Sequence, residues 1–81
     1  MARDQAAAQR KAFGPAVRRE RERQGISQED LGFEANLHRT YISEIERGIR
    51  NPTVTSIFKL AEALGAVPSK LFASAERQLP K

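Results

Sequence analysis

The stretch from Ser27 to Gly48, S-Q-E-D-L-G-F-E-A-N-L-H-R-T-Y-I-S-E-I-E-R-G, constrains the fold more than any other part of the chain. Ser27 is a good N-cap, Glu29 and Asp30 put negative charge in the first turn that follows, and Leu31 opens an apolar face. Asn36 tolerates the left-handed backbone conformation, so it is expected to end this first short helix. Leu37 then falls in a tight turn, where an apolar residue makes sense only if it points into a core. A second helix is expected from about His38 to Arg47. Its apolar stripe is Ile42 and Ile45 at i, i+3, and Gly48 is the stop. Arg39, Thr40, Ser43, Glu44 and Arg47 lie between these positions, so the helix has one oily side and one wet side.

Upstream, Phe13, Val17, Glu20/Arg21 and Gln24 share one face at helical spacing. They predict a first domain helix from Phe13 or Pro15 to Gln24, closed by Gly25. Ile26 enters the core. Proline is acceptable in a first turn and costly in a helix interior, so a break is expected near Gly14-Pro15. Residues 1–12 then read as an N-terminal extension in which Ala6, Ala7 and Ala8 favour helix. Downstream, Asn51-Pro52 is a strong turn signal. Thr53 caps a fourth helix with Ile57, Leu60, Ala61 and Leu64 as its buried face, Phe58 beside it and Gly65 at its end. Pro68 suits a first helical position. A last short helix runs to about Ala73 or Ser74 and buries Leu71 and Phe72. Residues 75–81 are a polar tail. The sequence has no strand alternation and no internal repeat. The expected fold is all-α: a five-helix domain over residues 13–74, its central motif at 27–48, with an extra N-terminal helix or arm.

A chain of 81 residues is one domain, near the lower limit for a self-sufficient core, so a dimer that shares core surface fits its size. The absence of cysteine excludes disulfides, iron–sulfur clusters and thiolate zinc sites, and His38 is the sole histidine. No metal or other cofactor is expected. No apolar run approaches the ~18 residues of a membrane span, and the N-terminus lacks the apolar core of a signal peptide. The expected location is cytoplasmic. Catalysis needs a nucleophile–base pair, paired carboxylates in a cleft, or a metal. Asp30, Glu29 and Glu34 read as cap and surface charges, and there is no glycine-rich phosphate loop, so an enzyme is not expected. The net charge of +4 favours an anionic partner.

Two short helices, a tight turn and a polar outer face on the second helix describe a helix-turn-helix. Here the chain resembles the Cro/C1-type, or Xre-type, regulators of the lambda-repressor-like fold, and in particular the small controller proteins of restriction–modification systems. The matching residues are Ser27-Gln28-Glu29-Asp30-Leu31, Arg39-Thr40-Tyr41-Ile42-Ser43, Ile45-Glu46-Arg47-Gly48, Asn51-Pro52 and Leu60-Ala61-Glu62-Ala63-Leu64-Gly65. With Arg21 and Gly25 they cover roughly residues 13–72. Two positions depart from the family pattern. Glu20 stands where an apolar residue is usual, and His38 stands where Ser or Thr usually caps the second helix.

The resemblance implies a transcriptional regulator that binds a (pseudo)palindromic operator in double-stranded DNA as a homodimer, through a recognition helix in the major groove. It implies base contacts at Arg39, Thr40, Ser43 and Glu44. Their chemistry fits, since Arg donates twice to guanine, Thr offers a methyl or a hydroxyl, and Glu accepts from cytosine. It implies backbone contacts at Gln28 and at Arg47, Arg50 and Asn51, which follow the recognition helix. Tyr41 reads equally as a hydroxyl donor to the backbone or as a packing ring. Arg3, Arg10 and Lys11 in the extension are also within plausible reach of phosphates. Arg21 and Glu46 match a family ion pair between the first helix and the recognition helix. The dimer candidates are Ile57, Phe58, Val67, Leu71 and Phe72; for Leu71 the stronger expectation is closure of the monomer's own core. A controller would also contact RNA polymerase, with Glu34 and Glu44 as acidic candidates. Without a second domain, no small-molecule ligand is expected. The alternative on the same fold is an antitoxin-like or other protein-interaction module.

Overall fold

The structure is a computed structural model and describes residues 5–79. Arg3 and Pro80 lie outside the described residues. Five α-helices make up the fold: α1 (Gln5–Arg23), α2 (Gln28–Ala35), α3 (Arg39–Glu46), α4 (Val54–Ala63) and α5 (Pro68–Glu76). Among the described residues there is no strand. Helix α1 packs on α3 and α5, α2 on α3 and α4, and α4 on α5. Val17, Leu31, Ile42, Ile45, Leu60 and Leu71 meet at the centre with almost no solvent exposure.

The helix ends follow the sequence closely. Ser27 and Thr53 cap α2 and α4, accepting from the amides of Asp30 and Ser56. Asn36 is left-handed, with φ of 57°, as the end of α2 requires. At the end of α3, Gly48 has φ of +77°. The amide of Ile49 donates to the Glu44 carbonyl and that of Gly48 to the Ile45 carbonyl, both at 3.0 Å. This is the paired closure that satisfies the last carbonyls of a helix. Helices α1, α2 and α4 end with the same pairing. The residues that follow those caps, Ile26, Leu37 and Ala66, pack on the core.

The expected break at Gly14-Pro15 does not occur. Helix α1 runs unbroken from Gln5 to Arg23, and residues 5–12 of the extension form its first half. Pro15 still forfeits an amide donor and crowds the carbonyl one turn back, a cost of about 3 kcal/mol. Tertiary contacts on both sides offset that cost. Phe13 lies before the proline, buried, with its ring centroid 5.3 Å from that of Phe72 on α5. Val17 lies after it with no exposed surface. Each such side chain contributes roughly 2 kcal/mol on burial. Gly14 is a contact site and not a helix stop. A Cβ there would stand 2.2 Å from the Ile45 carbonyl oxygen and 2.6 Å from that of Glu46. Only a glycine lets α1 lie directly on the last turn of α3. At the other end of the chain, α5 continues to Glu76, past the expected end near Ser74, and Leu79 beyond it packs on the core.

Glu20 occupies a core-facing position of α1 and is buried, 8% exposed. Its carboxylate accepts from Arg23 and from Gln24 Nε2 at 3.0 Å, and Lys70 of α5 lies 3.6 Å away. Gln24 Nε2 also donates to the Leu64 carbonyl at 2.6 Å, joining this cluster to the end of α4. The hydrogen bond from Arg23, then that from Gln24, hold the Glu20 carboxyl down at about 2; burial opposes them, and the charges of Arg23 and Lys70 assist. A depressed carboxyl stabilises the fold above its unfolded value of about 4.5 and loses that contribution as pH falls through about 2. Arg23 is largely exposed, so solvent screening limits the gain. Glu20→Gln is therefore expected to lose up to about 1 kcal/mol at pH 7. The gap from the parent chain should close as the pH approaches 2, as read by urea denaturation at both values.

Candidate nucleic-acid interface

An isolated helix as short as α3 does not hold itself together in water; it must be held by its surroundings. Ile42 and Ile45 bury its inner side, and Glu46 is also buried. The outer side carries Arg39 and Thr40, both exposed, and Ser43 and Glu44, both half-buried. Arg39 and Ser43 form one column along the helix, and Thr40 and Glu44 form the next, at i, i+4. The surface expected for base contact is thus brought together as one face.

His38 does act as the N-cap. Its Nδ1 accepts from the Thr40 amide at 3.1 Å, replacing the hydroxyl usual at this position. Leu37 anchors the turn before it from a half-buried position. Gly32 lets the turn come close, since a Cβ there would lie 2.7 Å from the Leu37 carbonyl oxygen.

Arg21 and Glu46 form the ion pair between α1 and α3. Arg21 Nε donates to Glu46 Oε2 at 2.7 Å, and Nη2 donates to Oε1 at 2.9 Å. The third arm, Nη1, donates to the Ile26 carbonyl at 2.9 Å. The hydrogen bonds to Glu46 raise the Arg21 pKa, overcoming desolvation. Gln28 joins this pair, its Nε2 donating to Glu46 Oε1 at 3.0 Å. The side chain expected to face a phosphate is therefore half-buried and partly committed to the scaffold. It remains at the start of α2, where free backbone amides point outward.

Tyr41 is half-buried. Its hydroxyl donates to Ser56 Oγ at 3.0 Å and receives a longer bond, 3.4 Å, from the Thr53 amide. Of the two readings of Tyr41, donation to a DNA backbone would have to displace the bond to Ser56, whereas the packing ring would not. Nothing in the sequence announced this link, because Tyr41 and Ser56 are fifteen residues apart. Arg47, Arg50 and Asn51 are exposed after α3, as expected. Arg50, however, is turned back onto Glu44, with Nη2 and Nε at 2.7 and 3.1 Å from the same oxygen, Oε1. Arg10 of the extension donates from Nε to the Gly48 carbonyl at 3.3 Å, bracing the same loop, and Lys11 is exposed beside it.

Of the residues expected at a dimer surface, Phe58, Val67 and Phe72 are exposed and Ile57 is half-buried. Leu71 follows the stronger expectation for it. At 1% exposure it closes the core between α5 and α1, because that face of α5 is the one turned inward. The correction on α5 is Phe72, expected to be buried beside Leu71 and 47% exposed. Phe33 on α2, the most exposed large apolar residue among the described residues, was not singled out from the sequence. It lies beside Ile26, Glu29, Asp30 and Glu34.

With this arrangement of helices, turn and ion pair established, the helix-turn-helix family model is found to match residues 17–72. The chain belongs to the Cro/C1-type helix-turn-helix family. It is 52% identical over 60 residues to control protein C.BamHI of Bacillus amyloliquefaciens, spanning 73% of this chain and 74% of that one. The crystal structure of the restriction–modification controller protein C.AhdI from Aeromonas hydrophila superposes with a TM-score of 0.77. It is 43% identical, covering 78% of this chain and 96% of that chain. The controller C.Esp1396I bound to a 19 base pair DNA duplex superposes with a TM-score of 0.80 at 32% identity, covering 90% of this chain and 97% of that chain. The five helices have the lambda-repressor-like arrangement of these relatives.

Because the Arg21–Glu46 pair is buried and satisfied on both sides, removing one partner leaves the other charge stranded. Arg21→Ala and Glu46→Ala are each expected to cost about 3–5 kcal/mol. A thermal melt of each variant checks this. Melting like that of the parent chain would refute the scaffolding role.

Proposed function

We propose that this protein is a sequence-specific DNA-binding transcriptional regulator of the restriction–modification controller kind, acting as a homodimer on a (pseudo)palindromic operator. The observation that carries this reading is the outer face of α3. Arg39 and Thr40 stand exposed at its N-terminal end, while Ile42 and Ile45 fix the opposite side in the core. A helix held this way fits the major groove with its first turns toward the base edges. The likeness to a controller solved on a DNA duplex supports the same orientation.

Arg39 is the best-placed base reader, because its guanidinium can donate twice to one guanine. Thr40 and Ser43 offer hydroxyls next to it. Arg47, Asn51 and the amides at the start of α2 set the register on the phosphates, which carry no sequence information themselves. One such motif reads few base pairs, and a second copy supplies the other half-site about 34 Å along the duplex. Phe58, Val67 and Phe72, which are exposed, and the half-buried Ile57 are the apolar residues offered for that pairing. A controller would also meet RNA polymerase, and Glu29, Asp30 and Glu34 around Phe33 form the acidic surface available for it. The antitoxin-like alternative would place the main partner contact away from Arg39.

The test is binding to duplexes recovered from a random pool. For the parent chain, affinity should fall steeply with salt, by about 0.9 in log–log slope per phosphate neutralised. Arg39→Ala should lose about 1–3 kcal/mol of discrimination at one base pair in each half-site and keep the fold. Unchanged preference in that variant would move the reading toward a protein partner. Sedimentation at tens of micromolar, roughly the scale on which weak homodimers assemble, should show a dimer.

A further inference from the structure

Glu44 sits where an anion is costly. It lies on the face proposed to enter the groove, where phosphates run along both sides. A chain of contacts that begins with Arg50 fixes it there. Arg50 places two N–H groups on Oε1, at 2.7 and 3.1 Å. The Arg50 guanidinium in turn lies 5.4 Å from the centroid of the Tyr41 ring. The Tyr41 hydroxyl is bonded to Ser56 Oγ, and Ser56 is buried at the start of α4, bonded also to Thr53. A line of support thus runs from α4 through Tyr41 and Arg50 to one carboxylate oxygen. None of the described hydrogen bonds ends on the other oxygen, Oε2.

From this geometry we infer that Glu44 reads a cytosine in the operator through Oε2, and that Arg50 is the positioning residue that neutralises and aims it. A carboxylate accepts from the N4 amino group of cytosine, and no other exposed group on a major-groove base edge suits it better. Its difficulty is repulsion by phosphate, and Arg50 removes that difficulty locally. The Tyr41 ring serves as the platform on which the guanidinium rests, since a cation over an aromatic face is attracted by the ring's electron density. Arg50 therefore acts on sequence preference through Glu44 and is not mainly a phosphate clamp. This rests on the proposed DNA reading and adds a specific base to it.

The two roles of Arg50 give different outcomes. A phosphate clamp changes affinity for all sequences alike and changes the salt slope by about one when removed. A positioning residue changes preference at one base pair. The experiment is selection of duplexes by the full-length chain, followed by titration of single base-pair variants of the recovered duplex at two or more salt concentrations. The proteins are the parent chain, Glu44→Ala, Glu44→Gln, Arg50→Ala and the double variant, each checked for an unchanged melting curve. The parent chain should require a C·G pair at one position of each half-site, with about tenfold or greater discrimination. Glu44→Ala should lose that requirement and no other. It should also bind random duplex more tightly, because the freed Arg50 can meet a phosphate. Glu44→Gln should shift the preference there toward adenine, which a Gln amide matches. Arg50→Ala should relax the same position as Glu44→Ala, and the double variant should relax it no further.

Preferences that survive Glu44→Ala, or an Arg50→Ala variant that weakens all sequences equally and keeps the C·G requirement, would overturn the inference. Failure of the parent chain to enrich any sequence would instead overturn the DNA reading beneath it.

Discussion

The Arg21–Glu46 pair is the joint on which the reading face depends. It connects the end of α1 to the end of α3, and through the third arm of Arg21 it holds the Ile26 carbonyl at the entry to α2. Gln28 extends the joint to the first turn of α2. Three helices and one turn are thereby referenced to two side chains. Hydrophobic burial of Ile42 and Ile45 keeps α3 in the core but leaves it free to slide or roll by small amounts, because such contacts have no fixed direction. The bidentate geometry removes that freedom. A buried ion pair adds little net stability over an apolar replacement, so its contribution here is orientation.

Gly14 makes that joint attainable. Were α1 held off by a Cβ at this position, its backbone could not rest on the carbonyls of Ile45 and Glu46, and Arg21, two turns further on, could not reach Glu46 with both donors. The same approach brings Lys11 against Gly48 and Arg10 onto the Gly48 carbonyl. The N-terminal half of α1 therefore supports the loop after α3, and the penalty of Pro15 inside the helix is set against packing on both sides of it.

Much of this was legible in the sequence, and the parts that were not share a cause. Caps depend on residues a few positions apart, so Ser27, Asn36, Thr53 and Pro68 could be read directly. The inner stripe of α3 and the outward direction of Arg39 and Thr40 follow from helical periodicity alone. The continuity of α1 could not be read that way. Local rules make Gly14-Pro15 a break, and the contacts that overrule them come from Phe72 and from the end of α3, far away in the chain. The engagement of the Tyr41 hydroxyl with Ser56, and of Arg50 with Glu44, is likewise tertiary. Sequence reasoning could place these side chains near a DNA strand, but not say which were already occupied. Glu20 departs from the family pattern, and it had a local signal of its own. Its partners Arg23 and Gln24 lie three and four residues on, the spacing at which helical side chains meet.

The division of labour on α3 explains how one scaffold can serve different operators. Residues that hold the helix, Ile42, Ile45 and Glu46, all face inward, and the residues before and after it, His38 and Gly48, act through caps. None of them needs to touch DNA. Arg39 and Thr40 can change without disturbing the core, since both side chains are exposed. Glu44 is the exception on that outer face, because its partner Arg50 rests on Tyr41 and hence on α4. A reading position tied to the scaffold is harder to exchange than a free one. Altering it singly also releases Arg50 from its partner, so a change at this part of the helix alters binding to all sequences as well as the base that is read.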